Sequence, residues 1–250
     1  MPAQWFESWF DSRWYPILYH HRDYKEAEGF IEHLLQALSP ASGAKFLDLA
    51  CGRGRHSVFI HEQGHDVMGL DLSAASIADA KKSEGPGLQF AVHDMRSPLD
   101  RQFDFIFNLF TSFGYFEDQD DNDQVLENVA KSLLSGGTFV LDFFNVAWVL
   151  KQIVPFQEIE LQGIHFTIRK RFEKGFIIKS IQLVDAGETF HFEERVQGLT
   201  LADFEGLFSK AGLEIEEIWG DYAGARFDAA RSTRLILFAR HAINQEVNPR

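Results

Sequence analysis

A glycine-rich turn and an acidic residue follow each other at a spacing typical of nucleotide-binding sites. The segment FLDLACGRGRHS contains Asp48, Ala50, Gly52 and Gly54. Glycines let the backbone turn tightly and approach a ligand closely, and the amides at the start of the following helix favour an anion. Asp71, 17 residues after Gly54, ends the next predicted strand, where a carboxylate can accept hydrogen bonds from both ribose hydroxyls. The pattern predicts a site for an adenosine-containing cofactor. It leaves nicotinamide dinucleotides open, because the loop nearly matches G-x-G-x-x-G/A.

The segment HEQGH, His61 to His65, matches the zinc-binding pattern H-E-x-x-H. That motif binds zinc only when one helix carries both histidines on the same face. Gly64 is expected to end the helix, and the next strand is predicted to start directly after His65. We therefore expect no metal site here and interpret the two histidines as surface residues at a helix C-terminus, where positive charge is favourable.

Predicted strands and helices alternate along the chain and place these residues at strand ends. Strands are predicted over 45–49, 66–70, 88–92, 103–109 and 138–143, and helices over 26–38, 55–63, 74–82 and 121–134, the last one ended by Gly136 and Gly137. Such alternation is typical of a parallel sheet covered by helices. A helix at 201–211 and strands at 214–219 and 233–239 follow. The expected fold class is α/β, a doubly wound Rossmann-like seven-stranded sheet with an antiparallel last hairpin.

The ordered segments LDLACGRGRH, GLDLS, HDMR, FDFIFNLFTSFGYF and LLSGGTFVLDFFN resemble the motif series of class I S-adenosylmethionine-dependent methyltransferases of the small-molecule type. The resemblance covers roughly residues 45–240 and implies S-adenosylmethionine as the cofactor. It also implies four groups of cofactor contacts: Asp48, Ala50, Gly52 and Gly54 beside the methionine end, Asp71 and Leu72 at the ribose and adenine, Asp94 and Met95 at the adenine ring, and Asn108 and Leu109 at the sulfonium and methyl. The chain departs from the family at Arg55, where a small residue often follows the last glycine.

The same resemblance implies transfer of a methyl group to an N or O nucleophile of a small molecule, with release of S-adenosylhomocysteine. An in-line displacement is accelerated chiefly by holding nucleophile and methyl in line, so no catalytic triad is expected. A general base matters only if the acceptor arrives protonated, and His20, Tyr115 or Asp118 would then be candidates. We expect the Asp71 carboxylate to be solvated when no cofactor is bound.

Two regions outside the motif series are expected to cover the acceptor site. Residues 156–198 alternate apolar and polar positions and predict a three-stranded antiparallel insertion into a core formed by residues 1–155 and 199–250. Residues 1–40 form an expected helical cap whose many aromatic residues we interpret as packing onto the core. Glu193, Glu194 and Arg195 are possible acceptor contacts, although alternating charges are more typical of a solvated strand face.

The overall charge disfavours a nucleic acid partner. Lys and Arg total 24 against 37 Asp and Glu, so the formal net charge is −13, and a phosphate backbone would be repelled. A single cysteine, Cys51, points to a reducing compartment, and no apolar stretch is long enough to span a membrane. We therefore expect a cytoplasmic enzyme with a small-molecule partner. The open alternatives are a methyltransferase for protein or RNA, a dinucleotide-dependent oxidoreductase, and a non-catalytic module that binds the cofactor.

Overall fold

The computed structural model describes residues 5–19 and 24–242, which form two β-sheets and the helices around them. The helices are α1 (Trp5–Phe10), α2 (Tyr15–Leu18), α3 (Tyr24–Leu38), α4 (Arg55–Glu62), α5 (Ala74–Ala80), α6 (Gln119–Ser132), α7 (Val146–Gln152) and α8 (Leu201–Lys210). The strands are β1 (Lys45–Leu49), β2 (Asp66–Asp71), β3 (Leu88–Val92), β4 (Phe103–Asn108), β5 (Leu133–Phe144), β6 (Phe156–Leu161), β7 (Ile164–Glu173), β8 (Phe176–Asp185), β9 (Glu188–Gln197), β10 (Leu213–Trp219) and β11 (Arg234–His241). A short 3-10 turn at Lys81–Ser83 extends α5.

The larger sheet has seven strands in the order β10-β11-β5-β4-β1-β2-β3. Strands β1 to β5 are parallel where they pair, and β11 runs antiparallel to both β5 and β10. The predicted doubly wound sheet with an antiparallel last hairpin is therefore confirmed. The strand order reverses between β1 and β4, and ligands bind at the carboxyl ends of the strands beside such a reversal.

The larger sheet is buried on both faces by helices. On one face, α3 contributes Phe30 and Leu34 and α4 contributes Ile60 to an apolar cluster. On the other face, α6 contributes Val125 and α8 contributes Phe204. Burial on both sides explains why β1, KFLDL, is a short apolar run rather than an alternating one.

The insertion contains four antiparallel strands in the order β6-β7-β8-β9, so the prediction of three strands was wrong. A division into three strands treats the segment EIELQGIHFTIRKRF as one strand. Gln162 and Gly163 instead adopt φ angles of +51° and +77° and reverse the chain between β6 and β7. A two-residue hairpin loop with two positive φ angles matches the twist of its strands, and glycine at the second position makes this conformation accessible.

The segment between α6 and β5 also differs from the prediction. Helix α6 ends at Ser132 and β5 begins immediately at Leu133, so Gly136 and Gly137 do not end the helix. Leu133 pairs with Phe103 of β4 before a register shift, which means that tertiary pairing overrides the local helix pattern. Helix α7, which was not predicted, begins where the Asn145 side chain accepts a hydrogen bond from the Ala147 amide.

The aromatic residues of α1 and α2 pack mainly against the smaller sheet. Trp9 is fully buried, and its ring centroid lies 4.7 Å from that of Phe192. The Trp14 ring lies 4.2 Å from the Phe190 ring. These contacts form an apolar cluster separate from the two that cover the larger sheet. The interpretation that this segment packs onto the nucleotide-binding core was therefore wrong for its most buried residue.

Candidate active site

A cavity of about 420 Å³ lies at the carboxyl ends of β1 to β4, and we call it the first cavity. Its volume falls in the range of small-molecule sites. Seven of the ten predicted cofactor contacts line it: Ala50, Gly52, Asp71, Leu72, Asp94, Met95 and Leu109. The structure thus brings together residues from four successive strand ends. Asp48, Gly54 and Asn108 are not among its lining residues.

Asp71 fixes the glycine turn at the floor of this cavity. The Gly52 amide donates to its Oδ2 and the Ser73 amide to its Oδ1, each over 2.8 Å. Burial raises the pKa of this carboxyl, while the bonds from these amides act in the opposite direction. The expectation that Asp71 is simply solvated was therefore wrong. Each carboxylate oxygen has a second lone pair, so both oxygens keep capacity for a ribose hydroxyl.

Asp94 is held by a neighbouring guanidinium. Arg96 donates to both of its carboxylate oxygens, with Nη2 2.6 Å from Oδ2. Although burial raises the pKa of Asp94, the hydrogen bonds from Arg96 hold it below its usual value. The adjacent turn is fixed by Asn128, whose Nδ2 donates to the carbonyl oxygens of Met95 and Ser97. This wall therefore presents an ionised carboxylate on a rigid turn.

Three predicted contacts lie behind the cavity wall and support it. Asp48 is buried and accepts a 2.6 Å hydrogen bond from the Ser57 hydroxyl. Gly54 has a φ of +81°, and a Cβ there would lie 2.6 Å from the Phe90 ring. Asn108 Nδ2 donates to the Leu49 carbonyl oxygen over 3.0 Å and ties β4 to β1. Their positions shape the glycine turn and the ends of the strands.

Sequence reasoning missed His56, which lines the first cavity at the start of α4. Its ring stacks on Phe110, with centroids 5.0 Å apart. Burial and the nearby charge of Arg55 lower its pKa well below the usual value, so the ring is neutral. The buried Nε2 has no hydrogen-bond partner within residues 5–19 and 24–242. It is a polar group that a ligand in this cavity can satisfy.

Two consecutive residues after β4 have left-handed backbones. Phe110 and Thr111 have φ angles of +56° and +62°, and each such residue costs about 1–3 kcal/mol. Asp142 of β5 binds both of their amides: its Oδ2 accepts from Phe110 N over 2.8 Å and its carbonyl oxygen accepts from Thr111 N over 3.0 Å. The same buried carboxylate pairs with Arg234 at 2.6 Å. Asp142 thus fixes the strained turn that carries the Phe110 ring.

A second cavity of about 630 Å³ adjoins the first one. Five aromatic residues line both cavities: Phe10, Tyr15, Tyr19, Phe110 and Tyr115. Further parts of the wall come from β7, β8, β9 and α7, from the turn after β4 and the end of β5, and from the segment that leads into β11. These shared rings place the two cavities side by side, so groups bound in them would lie next to each other.

The second cavity also contains a buried carboxylate. Glu194 of β9 has only 14% of its side chain exposed and accepts hydrogen bonds from Trp9 Nε1 at 2.6 Å and from the Tyr19 hydroxyl. Lys179 donates to the Tyr19 oxygen over 2.6 Å. The interpretation of Glu194 as part of a solvated face was wrong, because this strand face is covered by α1 and α2. Glu193, one residue earlier, pairs with Arg171 on the other face.

The three candidate bases have different positions. Tyr115 lines both cavities, and its hydroxyl donates to the Thr111 carbonyl oxygen. Asp118 is the N-cap of α6, where it accepts from the Asp120 amide, and it lines neither cavity. His20 lies outside the described residues. Arg195, the third polar candidate of β9, pairs with Glu117 at 3.1 Å.

The HEQGH segment lies at the opposite end of α4. The helix ends at Glu62, so His65 is not part of it, and His61 Nδ1 lies 2.9 Å from the His65 carbonyl oxygen. His65 is buried against Phe46, with ring centroids 5.0 Å apart, which corrects the expectation of two surface histidines. Within the described part of the chain, no cluster of three or more His, Cys, Asp or Glu side chains has metal-binding geometry.

Comparisons with known proteins agree with this architecture. A family described as "Methyltransferase domain" matches residues 46–137. The dTDP-3-amino-3,4,6-trideoxy-alpha-D-glucopyranose N,N-dimethyltransferase of Streptomyces venezuelae is 26% identical over 217 residues, covering 81% of this chain and 89% of that protein. The dTDP-3-amino-3,6-dideoxy-alpha-D-glucopyranose N,N-dimethyltransferase of Streptomyces fradiae is 28% identical over 215 residues, with coverages of 81% and 82%. A solved S-adenosylmethionine-dependent methyltransferase from Clostridium acetobutylicum has a TM-score of 0.78 at 20% identity, with coverages of 92% and 96%.

A doubly wound sheet, a glycine turn after β1, a carboxylate at the end of β2 and an adjoining second cavity define an enzyme that presents an adenosine cofactor to another substrate. Residues 46–137 match a methyltransferase domain, and the chain is an S-adenosylmethionine-dependent methyltransferase. It uses S-adenosylmethionine as the methyl donor and releases S-adenosylhomocysteine. The oxidoreductase alternative is not supported better than the methyltransferase by these comparisons.

The residues of the first cavity fit this cofactor. Leu72 and Met95 offer an apolar surface for an adenine ring, and Asp71 offers acceptors for ribose hydroxyls. The unpartnered Nε2 of His56 offers a further polar contact. The aromatic rings shared by the two cavities suit a positively charged sulfonium, because cations are attracted to the faces of aromatic rings.

Proposed function

We propose that this enzyme methylates an amine of a small acceptor, of the amino-sugar nucleotide kind, bound in the second cavity. The observation that carries the proposal is the pair of adjoining cavities with five aromatic residues in common. The names of the two Streptomyces relatives support an amino-sugar acceptor. A bounded cavity of about 630 Å³ suits a small molecule better than a folded macromolecule.

We infer that the cofactor contacts are Ala50, Gly52, Asp71, Leu72, Asp94, Met95 and Leu109, with Asp48, Gly54 and Asn108 supporting them from behind. S-adenosylmethionine, when bound, supplies an activated methyl group. The chain contributes position: Asp71 and Gly52 fix the floor of the first cavity, and Asp142 fixes Phe110 between the two cavities. Holding the reactants in line is the main source of acceleration in such a displacement.

The proposed acceptor must present a neutral amine, because an ammonium has no lone pair for attack. Two carboxylates line the second cavity, Glu194 and Asp221. Glu194 is already bound by Trp9 and Tyr19, whereas Oδ1 of Asp221 accepts from the backbone amides of Ala223 and Ala225. In our proposal Asp221 attracts the acceptor as an ammonium, and the proton leaves before attack, either to this carboxylate or to water.

We further propose that residues 156–198 and the cap within residues 1–40 act as the cover of the acceptor site, and that residues 1–155 and 199–250 form the cofactor-binding core. Among the described residues, no helix is long and apolar enough to cross a membrane. The single cysteine, Cys51, which is buried and free, is consistent with our proposal that the enzyme works in the cytoplasm.

The test is a methyltransfer panel with purified protein and S-adenosylmethionine. The panel contains free amino sugars, the same amino sugars linked to a nucleoside diphosphate, and matched sugars with a hydroxyl in place of the amine. We expect S-adenosylhomocysteine release and a methylated product, detected by mass spectrometry, only with amines. Turnover of the hydroxyl analogues but not the amines would refute the amine assignment. Binding of S-adenosylhomocysteine without turnover of any member would refute the amino-sugar assignment.

A further inference from the structure

Three charged residues form one row across the face of the smaller sheet that lines the second cavity. Lys170 of β7 pairs in register with Lys179 of β8, and Lys179 pairs with Glu194 of β9. The two neighbouring rows on the same face are apolar: Ile168, Ile181 and Phe192 on one side, and Phe172, Ile177 and Val196 on the other. The charged row is therefore an exception within an otherwise apolar face.

The two lysines of this row differ in their described partners. Lys179 and Glu194 are 13% and 14% exposed, and their charged atoms lie 3.7 Å apart. Lys170 is half-buried, and no carboxylate lies within 4.0 Å of its ammonium group in residues 5–19 and 24–242. Lys170 thus brings a positive charge without a carboxylate partner among the described residues to the wall of the second cavity, in a protein whose formal net charge is −13.

Such a row is unfavourable in isolation. Like charges directly opposite each other on paired strands destabilise a sheet, and partly buried charges lose hydration. Across the same cavity lies Arg234, whose charge is already compensated by the buried Asp142. The opposing carboxylate in the cavity wall, Asp221, belongs to the segment before β11, on another part of the wall. An anion bound between Lys170 and Lys179 supplies the counterion that Lys170 lacks among the described residues and reduces the repulsion between the two ammonium groups.

We propose that Lys170 and Lys179 form an anion-binding subsite of the acceptor cavity, which holds a phosphate or carboxylate group of the acceptor. This proposal rests on the proposed function, because it names the part of the acceptor that lies away from the methylated amine. An ammonium group is a compact point charge that binds either kind of anionic oxygen by charge-assisted hydrogen bonds. Lys170 is then a specificity-determining residue, since it distinguishes anionic acceptors from neutral ones.

The direct test is binding of a simple anion to the protein loaded with S-adenosylhomocysteine. Inorganic pyrophosphate and succinate are titrated separately by calorimetry at low ionic strength, because salt screens such interactions. We expect at least one of the two to bind the parent, and the Lys170→Gln variant to bind it about tenfold more weakly, as loss of one charged hydrogen bond implies. Binding of pyrophosphate alone identifies a phosphate subsite, and binding of succinate alone identifies a carboxylate subsite.

Arg169→Gln is the matched control, because Arg169 is the next residue of β7, is exposed and lies on the other face, over the Phe156 ring. This variant should bind the anion like the parent. Unchanged S-adenosylhomocysteine affinity in both variants shows that the fold is intact. The proposal is overturned if the parent binds neither anion, or if folded Lys170→Gln binds as tightly as the parent. Neither readout needs turnover, so failure of the amine panel with anion binding intact counts against the proposed function alone.

Discussion

The two cavities are built in different ways. The polar contacts that shape the first cavity join residues close in sequence: Gly52 and Asp71 are 19 positions apart, and Asp71 and Ser73 are two apart. The contacts that shape the second cavity join distant segments, such as Trp9 to Glu194, 185 positions apart. The polar floor of the first cavity is a product of successive strand–helix turns, although α1 and α2 add aromatic residues to its wall. The second exists only after α1 and α2 dock on the smaller sheet.

The first cavity therefore depends mainly on the larger sheet, whereas the second depends on how separate segments dock against each other. A site made of short turns on one parallel sheet keeps its geometry as long as the sheet folds. A site made of docked segments changes whenever a strand row or an aromatic contact changes, while the sheet beneath it is unaffected. Substitutions on the two sides should therefore separate cofactor affinity from acceptor turnover.

The largest effect is expected for Asp71→Ala, which breaks the first cavity. Each hydrogen bond to a charged group contributes roughly 1.5–3 kcal/mol, so losing both ribose contacts should weaken S-adenosylhomocysteine binding by roughly ten- to several-hundredfold in calorimetry. The variant should also lose about 1–3 kcal/mol of unfolding free energy, because the amides of Gly52 and Ser73 lose their acceptor.

The S-adenosylhomocysteine affinity of Asp71→Asn should fall between those of the parent and Asp71→Ala, because this variant keeps an acceptor oxygen but loses the charge. Asp66→Asn is the matched control, because Asp66 is exposed and begins the same strand at the opposite edge of the sheet. A folded Asp71→Ala protein that binds S-adenosylhomocysteine as tightly as the parent would show that the end of β2 is not the ribose site.

A second prediction concerns how the burial of Asp48 behind the first cavity affects the pH dependence of stability. Burial raises the pKa of Asp48 from about 3.8 to about 6, although the bond from Ser57 opposes the shift. The folded state therefore holds a proton that the unfolded chain releases, and it loses stability as the pH rises from about 4 to about 6. The full loss at pH 7 is roughly 3 kcal/mol.

Asp48→Asn has no such proton and should not show this loss. Relative to the parent, its unfolding free energy should therefore rise by up to roughly 3 kcal/mol between pH 4 and pH 7. Urea denaturation at four pH values in this range measures the difference. Parallel stability curves for the parent and the variant would contradict the assignment of Asp48 as a buried, poorly ionised carboxyl.

Glu194→Gln probes the second cavity with a smaller expected effect. Trp9 Nε1 and the Tyr19 hydroxyl keep an acceptor in this variant but lose the charged one, and Lys179 loses its counterion. We expect turnover of the acceptor to fall about tenfold, in line with about 1.5 kcal/mol for a weakened charged hydrogen bond. S-adenosylhomocysteine affinity should change less than twofold by comparison, roughly 0.4 kcal/mol.

Glu193→Gln is the control for this variant, because Glu193 is the preceding residue of β9 on the opposite face, where it pairs with exposed Arg171. It should leave both readouts unchanged. If Glu194→Gln lowers cofactor affinity as much as it lowers turnover, substitutions in the second cavity do not affect acceptor turnover independently of cofactor binding.

The smallest effect concerns the far end of α4. We expect purified protein to contain no stoichiometric zinc by elemental analysis, and His61→Ala to leave cofactor binding unchanged, because the helix ends before His65. Stoichiometric zinc that disappears in His61→Ala would overturn this expectation.

The sequence predicted the strands of the larger sheet better than the insertion, for a physical reason. The run at β1 was predicted with its observed ends, because a strand buried on both faces leaves a continuous apolar signal. The run at β3 was also predicted with its observed ends, although β3 is an edge strand whose burial alternates. Glu194 was interpreted incorrectly, because alternation shows that two faces differ but not which face another segment covers. Gln162 and Gly163 were missed as a turn, since the glutamine has no local preference for a positive φ.

The individual site residues were also predicted unequally from the sequence. Asp71 could be placed at a ligand because its spacing from the glycine turn reflects the length of one strand–helix unit. Asp48 and Asn108 belong to the same motifs but lie behind the wall, since side chains of a strand alternate between directions that the motif does not specify. Lys170 carried no signal in the sequence, because its role depends on the pairing of β7 with β8.

Phe10, Tyr15 and Tyr19 form part of the walls of both cavities, so in the proposed arrangement the two substrates share a contact surface. Ordering these rings around one substrate reduces the entropy that the other must lose on binding. Thermodynamic reciprocity then requires that the factor by which the cofactor strengthens acceptor binding equals the factor by which the acceptor strengthens cofactor binding. The enzyme should therefore behave as a cooperative pair of sites whose coupling free energy lies in one short N-terminal segment.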